Sequence, residues 1–160
     1  MTNRADAESI VEKLKQHPRI SGVELFGSVL RKGRGHDIDF VVLVDREIAR
    51  QWWSDMRIHL LVRMGTSLQP LRRFIKTVLP WLDEMSIRNR KAHRLAYASK
   101  LVGVDFSAIG QGINLDIFLM PEDWRTGTSL NVEALKDFGV LNHRNTRMFL
   151  ESIARQAVGM

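Results

Sequence analysis

The sequence predicts one domain of the α/β or α+β class. Short stretches rich in β-branched and aromatic residues alternate with longer stretches of helical periodicity, which is typical of these classes. The chain has 160 residues, of which 44% are hydrophobic and 26% are charged. Domains commonly contain about 100–150 residues, so a single core accounts for most of this length. The composition excludes a disordered chain, and no apolar run approaches the ~20 residues of a membrane-spanning helix.

The first third of the chain is predicted to contain one helix and two strands. Apolar residues recur at helical spacing over 6–16, and acidic residues cluster near the start of this segment. A short strand over 23–26 then leads into a Gly-Ser pair. Residues 37–44, DIDFVVLV, are the strongest strand signal because they combine β-branched and aromatic side chains with few helix formers.

The rest of the chain is predicted to be helical apart from one hairpin. Three helices are expected over 46–63, about 68–78 and about 82–101. Residues 102–107 and 113–120 are expected to form two strands joined by a turn with two glycines. The segment from 129 onward is again expected to be helical. Trp52 and Trp53 are interpreted as core residues rather than as stacking platforms for bases.

The absence of cysteine excludes several classes of protein. A disulfide-stabilised scaffold, a thiolate zinc site and a cysteine nucleophile all need this residue, and the chain has none. The N-terminal residues also lack the apolar core of a signal peptide. We therefore expect an intracellular, cytoplasmic monomer without membrane association. The five histidines show no metal-ligand spacing, and neither a Walker A nor a dinucleotide-binding glycine motif is present.

The net charge of +6 is concentrated in the middle of the sequence. Residues 1–55 are neutral, residues 56–104 carry ten basic and two acidic side chains, and residues 105–160 carry a net charge of −2. A clustered basic segment is typical of contact with a phosphate backbone, although solvated basic helix faces are the alternative. The predicted DNA contacts are Arg72, Arg73, Lys76, Arg88, Arg90, Lys91 and Arg94.

Three aspartates in predicted strands are candidate metal ligands and catalytic residues. Side chains alternate between the two faces of a strand, so Asp37 and Asp39 project from the same face. Asp116 lies inside the apolar stretch 113–120 and completes a set of three carboxylates if the two strands are neighbours. Carboxylate oxygens are the ligands that Mg²⁺ prefers. The alternative for Asp116 is a side chain satisfied by a neighbouring arginine or a backbone amide.

Gly27-Ser28 lies between a predicted strand and a basic segment, ten residues before Asp37. A Gly-Ser pair at a strand-to-helix turn lets backbone amides approach a phosphate closely, helped by the serine hydroxyl and the helix N-terminus. The Gly-Ser pair alone is common turn chemistry. Its combination with the three aspartates indicates a nucleotide-binding catalytic site.

The stretch from Gly27 to Phe40, GSVLRKGRGHDIDF, resembles the polymerase β-type nucleotidyltransferase superfamily. The likeness is strongest to family X DNA polymerases, and LDIFLMP at 115–121 resembles the strand that carries their third acid. The resemblance implies a nucleotidyltransferase palm of α+β class, with a small mixed sheet backed by helices. It makes 1–160 a single domain with a basic helical insertion at about 46–101 and a short helical C-terminal part at about 129–160.

The same resemblance implies roles for the site residues. Asp37 and Asp39 would bridge two Mg²⁺ ions, with Mn²⁺ as a possible substitute, and Asp116 would ligate the ion near the attacking hydroxyl. Gly27, Ser28, Arg31 and Lys32 would bind the nucleotide, with Arg31 neutralising the departing pyrophosphate.

Three functions are compatible with these residues. The first is a Mg²⁺-dependent DNA polymerase of EC 2.7.7 type, active in DNA repair, which takes deoxynucleoside triphosphates and a DNA primer-template or DNA ends. The second is a minimal nucleotidyltransferase that modifies a protein, a tRNA or a small molecule. The third is a nucleic-acid-binding domain without activity. The complete set of three aspartates and the Gly-Ser pair disfavours the third.

Overall fold

The computed structural model describes the backbone of residues 1–63 and 87–160 and the side chains of residues 1–56 and 91–160. Its strands are β1 (Thr2–Asn3), β2 (Gly22–Phe26), β3 (Arg34–Gly35), β4 (Ile38–Val44), β5 (Leu115–Pro121), β6 (Arg125–Thr126), β7 (Ser129–Leu130) and β8 (Val158–Gly159). Its α-helices are α1 (Arg4–Lys15), α2 (Gly27–Lys32), α3 (Arg46–Arg63), α4 (Ile87–Val102), α5 (Phe106–Gly110), α6 (Val132–Leu135) and α7 (Arg144–Gln156). Two 3₁₀ turns, Lys136–Phe138 and Val140–Asn142, lie between α6 and α7.

The central sheet has four strands in the order β5-β4-β2-β8. β4 and β5 are parallel, whereas β2 pairs antiparallel with both β4 and β8. β4 and β5 are buried along nearly their whole length, as expected for parallel strands covered by helices. The predicted small mixed sheet backed by helices is therefore confirmed.

One face of the sheet is packed against α3, α4 and α7 through a cluster of aromatic rings. The ring centroid of Phe118 on β5 lies 5.9 Å from that of Trp52 and 5.6 Å from that of Phe149. The indole nitrogen of Trp53 donates a 2.7 Å hydrogen bond to the carbonyl oxygen of Leu119, so its polar group is satisfied in the core. Trp52 and Trp53 are both fully buried, which confirms their predicted core role.

The opposite face of the sheet is equally apolar. Its side chains include Ile38, Phe40 and Val42 on β4, all of which are fully buried. α1 contacts β2 and α5, and α5 contacts β5. α1 begins two residues earlier than predicted because Asn3 and Asp6 form a capping box, in which each side chain accepts a hydrogen bond from the other residue's backbone N–H.

The predicted hairpin of 102–107 and 113–120 is wrong. α4 continues to Val102, and the Asp105 side chain accepts a hydrogen bond from the Ala108 backbone N–H to begin α5. The alternating apolar residues of 102–107 therefore lie in a helix end, a turn and a second helix start. Helix capping by Asp105 outweighs the strand-like alternation there. β5 reaches the sheet as a parallel partner of β4 through a helical connection.

The remaining predicted helices are placed as follows. The helix at 46–63 is confirmed as α3, and α4 is the described part of the helix predicted at about 82–101. The helix predicted at about 68–78 lies outside the described residues. No helix within 1–63 and 87–160 is long and apolar enough to cross a membrane.

The C-terminal part is helical as predicted, but it also adds short strands. β6 and β7 form a small hairpin attached to β2 through Glu24. This buried carboxylate accepts a 2.9 Å hydrogen bond from the Trp124 indole nitrogen and forms a 2.6 Å ion pair with Arg125. β8 then joins the edge of β2 and completes the sheet.

Candidate active site

Two of the three predicted carboxylates lie side by side at the N-terminal ends of the neighbouring strands β4 and β5. Asp39 on β4 and Asp116 on β5 are partners in the parallel register, and neighbouring strands are about 4.8 Å apart. Residues opposite each other in a parallel pair point to the same face, so these two side chains are adjacent. Asp39 is buried and Asp116 is fully buried. Asp37, two residues before Asp39, is half-buried just ahead of the strand.

The Gly-Ser turn lies directly against this pair of carboxylates. β2 ends at Phe26, which is the register partner of Asp39, and α2 begins at Gly27. Gly27 has a φ of +79°, and a side chain there would collide with the Asp39 carboxylate. Glycine is therefore required at this position both for its backbone conformation and for the close approach to Asp39. The predicted strand-to-helix turn is present.

Ser28 lies beside the Gly27 turn at the beginning of α2. A side chain at Gly35 would collide with its hydroxyl group, so Gly35 leaves the space that Ser28 needs. Gly35 belongs to β3, which is paired with β1 through Thr2. The N-terminal residues thus hold the loop that positions the serine hydroxyl.

Two groups predicted to bind phosphate converge on one oxygen atom. The Gln156 side-chain oxygen accepts a 3.3 Å hydrogen bond from the Gly27 backbone N–H and a 2.9 Å hydrogen bond from the Arg31 guanidinium. A phosphate oxygen has the same acceptor chemistry. Lys32, the other predicted nucleotide-binding residue, is exposed in the last turn of α2. The sequence contained no signal for Gln156, which is 129 residues from Gly27 along the chain.

α4 presents two cations to the carboxylates. The Lys91 ammonium forms an ion pair with the Asp37 carboxylate and lies 3.9 Å from Asp116 Oδ2. Arg94, one helical turn further on, forms a 3.1 Å ion pair with Asp116 Oδ1, and both of these side chains are fully buried. The guanidinium of Arg94 also lies over the Phe118 ring, 5.8 Å from its centroid.

This arrangement corrects the DNA-contact prediction for Arg94. Its side chain has no exposed surface, so it cannot reach a phosphate backbone. Lys91 is partly exposed, but its ammonium is directed to Asp37. The charge count identified a basic segment without indicating which way each helix residue points. The other predicted contacts, Arg72, Arg73, Lys76, Arg88 and Arg90, have side chains outside the described residues.

The carboxylates have the donor chemistry of a magnesium site. The Lys91 ammonium lies between Asp37 and Asp116, so a positive charge already occupies the point on which they converge. Within residues 1–56 and 91–160, no three acidic or histidine side chains are already grouped as a metal site. The carboxylates therefore supply oxygen donors of the kind that a hard divalent cation prefers, but in the described arrangement Asp37 and Asp116 are paired with Lys91 rather than grouped as metal ligands.

The comparison with protein families bears on the same residues. A family model described as Nucleotidyltransferase domain matches residues 7–98, which is more than half of the chain. The chain belongs to the nucleotidyltransferase domain family. This family typically uses divalent metals. Searches of curated proteins and of solved structures found no match.

The family match covers two of the three aspartates, and the sheet register locates the third. The matched residues include the Gly-Ser turn, Asp37 and Asp39 but end before Asp116. The pairing of β4 with β5 then places Asp116 next to Asp39. Membership supports a transferase of EC 2.7.7 type and does not distinguish a DNA polymerase from smaller nucleotidyltransferases.

Proposed function

We propose that this nucleotidyltransferase is of the minimal type and transfers a nucleotidyl group from a nucleoside triphosphate to an acceptor other than a DNA primer, such as a protein, a tRNA or a small molecule. The observation that carries this proposal is the in-register pair Asp39–Asp116 directly beside the Gly27 turn. Acidic residues and phosphate-binding donors are thereby adjacent, as phosphoryl transfer requires.

The triphosphate is held on the β2 side of the carboxylates. The Gly27 N–H and the Arg31 guanidinium, which share the Gln156 oxygen as their acceptor, donate instead to oxygens of the β- and γ-phosphates. Ser28 adds its hydroxyl, and Arg31 neutralises charge that develops on the departing pyrophosphate. Asp37, Asp39 and Asp116 would hold Mg²⁺, which would supply Lewis-acid stabilisation of the attacking and leaving oxygens.

The test compares two aspartate variants in a pyrophosphate-release assay with Mg²⁺ and α-labelled ATP. Asp39→Asn is expected to reduce release by on the order of a hundredfold or more, because it removes a carboxylate from the reacting centre. Asp45→Asn is the matched control, since Asp45 is exposed just beyond the other end of β4. Equal rates in the two variants would contradict the assignment of the centre.

A DNA polymerase is the second candidate, and the charge of residues 56–104 favours it. In the same assay, α-labelled dATP is offered beside α-labelled ATP, a primed DNA template is added, and the fate of the label is followed. Label in a lengthened primer, lost in Asp116→Asn with duplex binding retained, would support the polymerase. Duplex binding that does not weaken with salt would argue against a DNA substrate. Label that enters other acceptors while the primer stays unchanged supports the minimal type.

A further inference from the structure

A cleft of about 460 Å³ opens beside Asp37, at the start of β5 and away from the Gly-Ser turn. Its walls come from α4, from α5 and from the loop that enters β5, and His36 and Asp37 also line it. Neither β2 nor α2 contributes to it. Since the strand order is β5-β4-β2, the cleft and the phosphate-binding turn lie on opposite sides of the carboxylates.

In-line phosphoryl transfer gives these two sides different roles. The attacking and leaving oxygens lie on opposite sides of the phosphorus atom. With the departing pyrophosphate held by Gly27, Ser28 and Arg31, the attacking hydroxyl must enter from the β5 side. The cleft is on that side and opens onto Asp37.

Given the proposed nucleotidyl transfer, on which this assignment rests, we infer that the cleft binds the acceptor, and that the acceptor is a compact hydroxyl compound with an apolar body. Its volume lies within the range of about 300–1,000 Å³ that is usual for small-molecule sites. Leu95, Ile113 and Leu115 provide apolar walls, whereas Ser107 and Asn114 provide hydrogen-bonding groups.

The charges of the cleft disfavour a nucleic-acid strand as its occupant. A phosphate backbone is bound through several lysine or arginine contacts. Among the residues whose side chains the structure describes, the lining contains one such cation, Lys91, and its ammonium is engaged by Asp37. An anionic backbone would therefore meet a carboxylate and an already paired lysine.

The reaction in this cleft is balanced as follows. The acceptor hydroxyl oxygen forms a bond to the α-phosphorus, and its proton passes to solvent water in the open cleft. The bond between the α-phosphorus and the bridging oxygen breaks, and pyrophosphate leaves with that electron pair. The products are a nucleotidylated acceptor and pyrophosphate.

The test fills the cleft without disturbing the core. Ser107 is exposed on α5 and lines the cleft, whereas its neighbour Ala108 is equally exposed and lies outside it. Ser107→Trp places a large ring in the cleft, and Ala108→Trp is the matched control. Saturation-transfer NMR is measured with benzyl alcohol as the probe, glycerol as a probe without an apolar body, and a short single-stranded oligonucleotide as a competitor.

The assignment predicts that benzyl alcohol, but not glycerol, receives saturation from the native protein and from Ala108→Trp. The signal is expected to be lost in Ser107→Trp. An unchanged signal in Ser107→Trp, equal signals from both alcohols, or displacement of benzyl alcohol by the oligonucleotide would each overturn the assignment. Binding of a non-hydrolysable ATP analogue with Mg²⁺ is measured in parallel. If the native protein does not bind the nucleotide analogue, the proposed function is refuted. If it binds the analogue but not benzyl alcohol, only the assignment of the cleft is refuted.

Discussion

Lys91 compensates the negative charge of the carboxylates in the structure without a metal ion. Its ammonium contacts Asp37 and lies near Asp116, so it balances part of the negative charge at the N-terminal ends of β4 and β5. Arg94 balances Asp116 from the buried side. Buried acids are costly when no cation or hydrogen bond compensates them, and these two residues on one face of α4 reduce that cost.

We predict that Lys91→Met increases the dependence of stability on Mg²⁺. Without the ammonium, the carboxylates repel one another more strongly, and a bound divalent cation relieves a larger penalty. The rise in Tm on replacing EDTA by Mg²⁺ should therefore be larger in Lys91→Met than in the native protein. Thermal unfolding followed by circular dichroism measures this shift.

The control for this experiment is Lys100→Met on the same helix. Lys100 lies over the Tyr97 ring, 5.9 Å from its centroid, and contributes no contact to the acidic site. Its removal should leave the Mg²⁺-dependent shift unchanged. The same shift in Lys91→Met and in the native protein would show that Lys91 and the metal do not compete for one position.

At the scale of elements, the junction of β2 and α2 joins the phosphate-binding turn to Asp39. Gly27 and Gly33 stand at the two ends of α2, and both have positive φ, at +79° and +73°. They differ in their surroundings, since a side chain at Gly33 would meet nothing within 4 Å. The comparison of the two glycines therefore separates backbone strain from collision with Asp39.

We predict that Gly27→Ala is more damaging than Gly33→Ala. The left-handed conformation costs about 1–2 kcal/mol in either variant. Collision with the Asp39 carboxylate should add at least about 1 kcal/mol in Gly27→Ala. Urea unfolding measures the difference, and pyrophosphate release should fall only in Gly27→Ala. Equal losses of stability in both variants would mean that the turn and Asp39 move apart easily.

The contact between α3 and α4 includes a pair of titrating groups. The Tyr97 hydroxyl donates a hydrogen bond to the Asp55 carboxylate, and Gln51 donates another at 2.8 Å. The hydrogen bond from Tyr97 lowers the pKa of Asp55 below its usual 3.8. The same hydrogen bond raises the pKa of Tyr97 above 10.0. The stability that the ionised Asp55 contributes is therefore present above pH 3.8, and it is lost as the pH falls through the folded-state pKa of Asp55.

We predict that Tyr97→Phe weakens the acid sensitivity of the fold. Without the phenol hydroxyl, the pKa of Asp55 returns toward its usual value, so less stability is lost between about pH 7 and about pH 3. Urea unfolding at both pH values measures the difference.

The reciprocal experiment uses Tyr97 as its own probe, because it is the single tyrosine of the chain. The stability that the protonated Tyr97 contributes is present below pH 10.0, and it is lost as the pH rises through the folded-state pKa of Tyr97. Asp55→Ala should lower the pKa of Tyr97 toward 10.0, as read from ultraviolet absorbance. An unchanged tyrosine titration in that variant would contradict the predicted coupling.

At the scale of the whole molecule, the C-terminal segment returns to the phosphate-binding turn. α7 ends at Gln156, whose oxygen accepts from Gly27 and Arg31, and β8 follows immediately on the edge of β2. The hydrogen-bond acceptor of the Gly27 N–H is thus a residue near the C-terminal end of the sequence. In the proposed function, this oxygen and a phosphate oxygen compete for the same donors.

We predict that Gln156→Ala tightens nucleotide binding. Removal of the competing oxygen should lower the Kd for a non-hydrolysable ATP analogue by about threefold to tenfold, which is the net scale of one ordinary hydrogen bond. Gln156→Glu should raise the Kd, because its carboxylate pairs with Arg31 and repels the phosphates. Isothermal titration calorimetry measures both. A weaker affinity in Gln156→Ala would show that Gln156 supports the turn for nucleotide binding instead of competing.

The fold was predictable where local patterns and tertiary packing agree. Apolar periodicity located α1, α3 and the strand β4, because the buried face of each repeats at the spacing of its own element. The prediction failed at 102–107, where Asp105 caps a helix inside an apparently alternating stretch. The short strands β6 and β8 carry too few residues for a periodic signal.

By itself, the sequence determined a fold that mixes helices and strands, the Gly27-Ser28 turn and the candidate carboxylates, because strand alternation and glycine chemistry are local. Only the tertiary structure decided that Asp116 is the register partner of Asp39, that Arg94 is buried against it, and that Gln156 meets Gly27. The residues in each of these contacts are far apart in the sequence, with separations between 22 and 129 positions. Such contacts depend on how helices and strands pack, which residue spacing and charge counts do not specify.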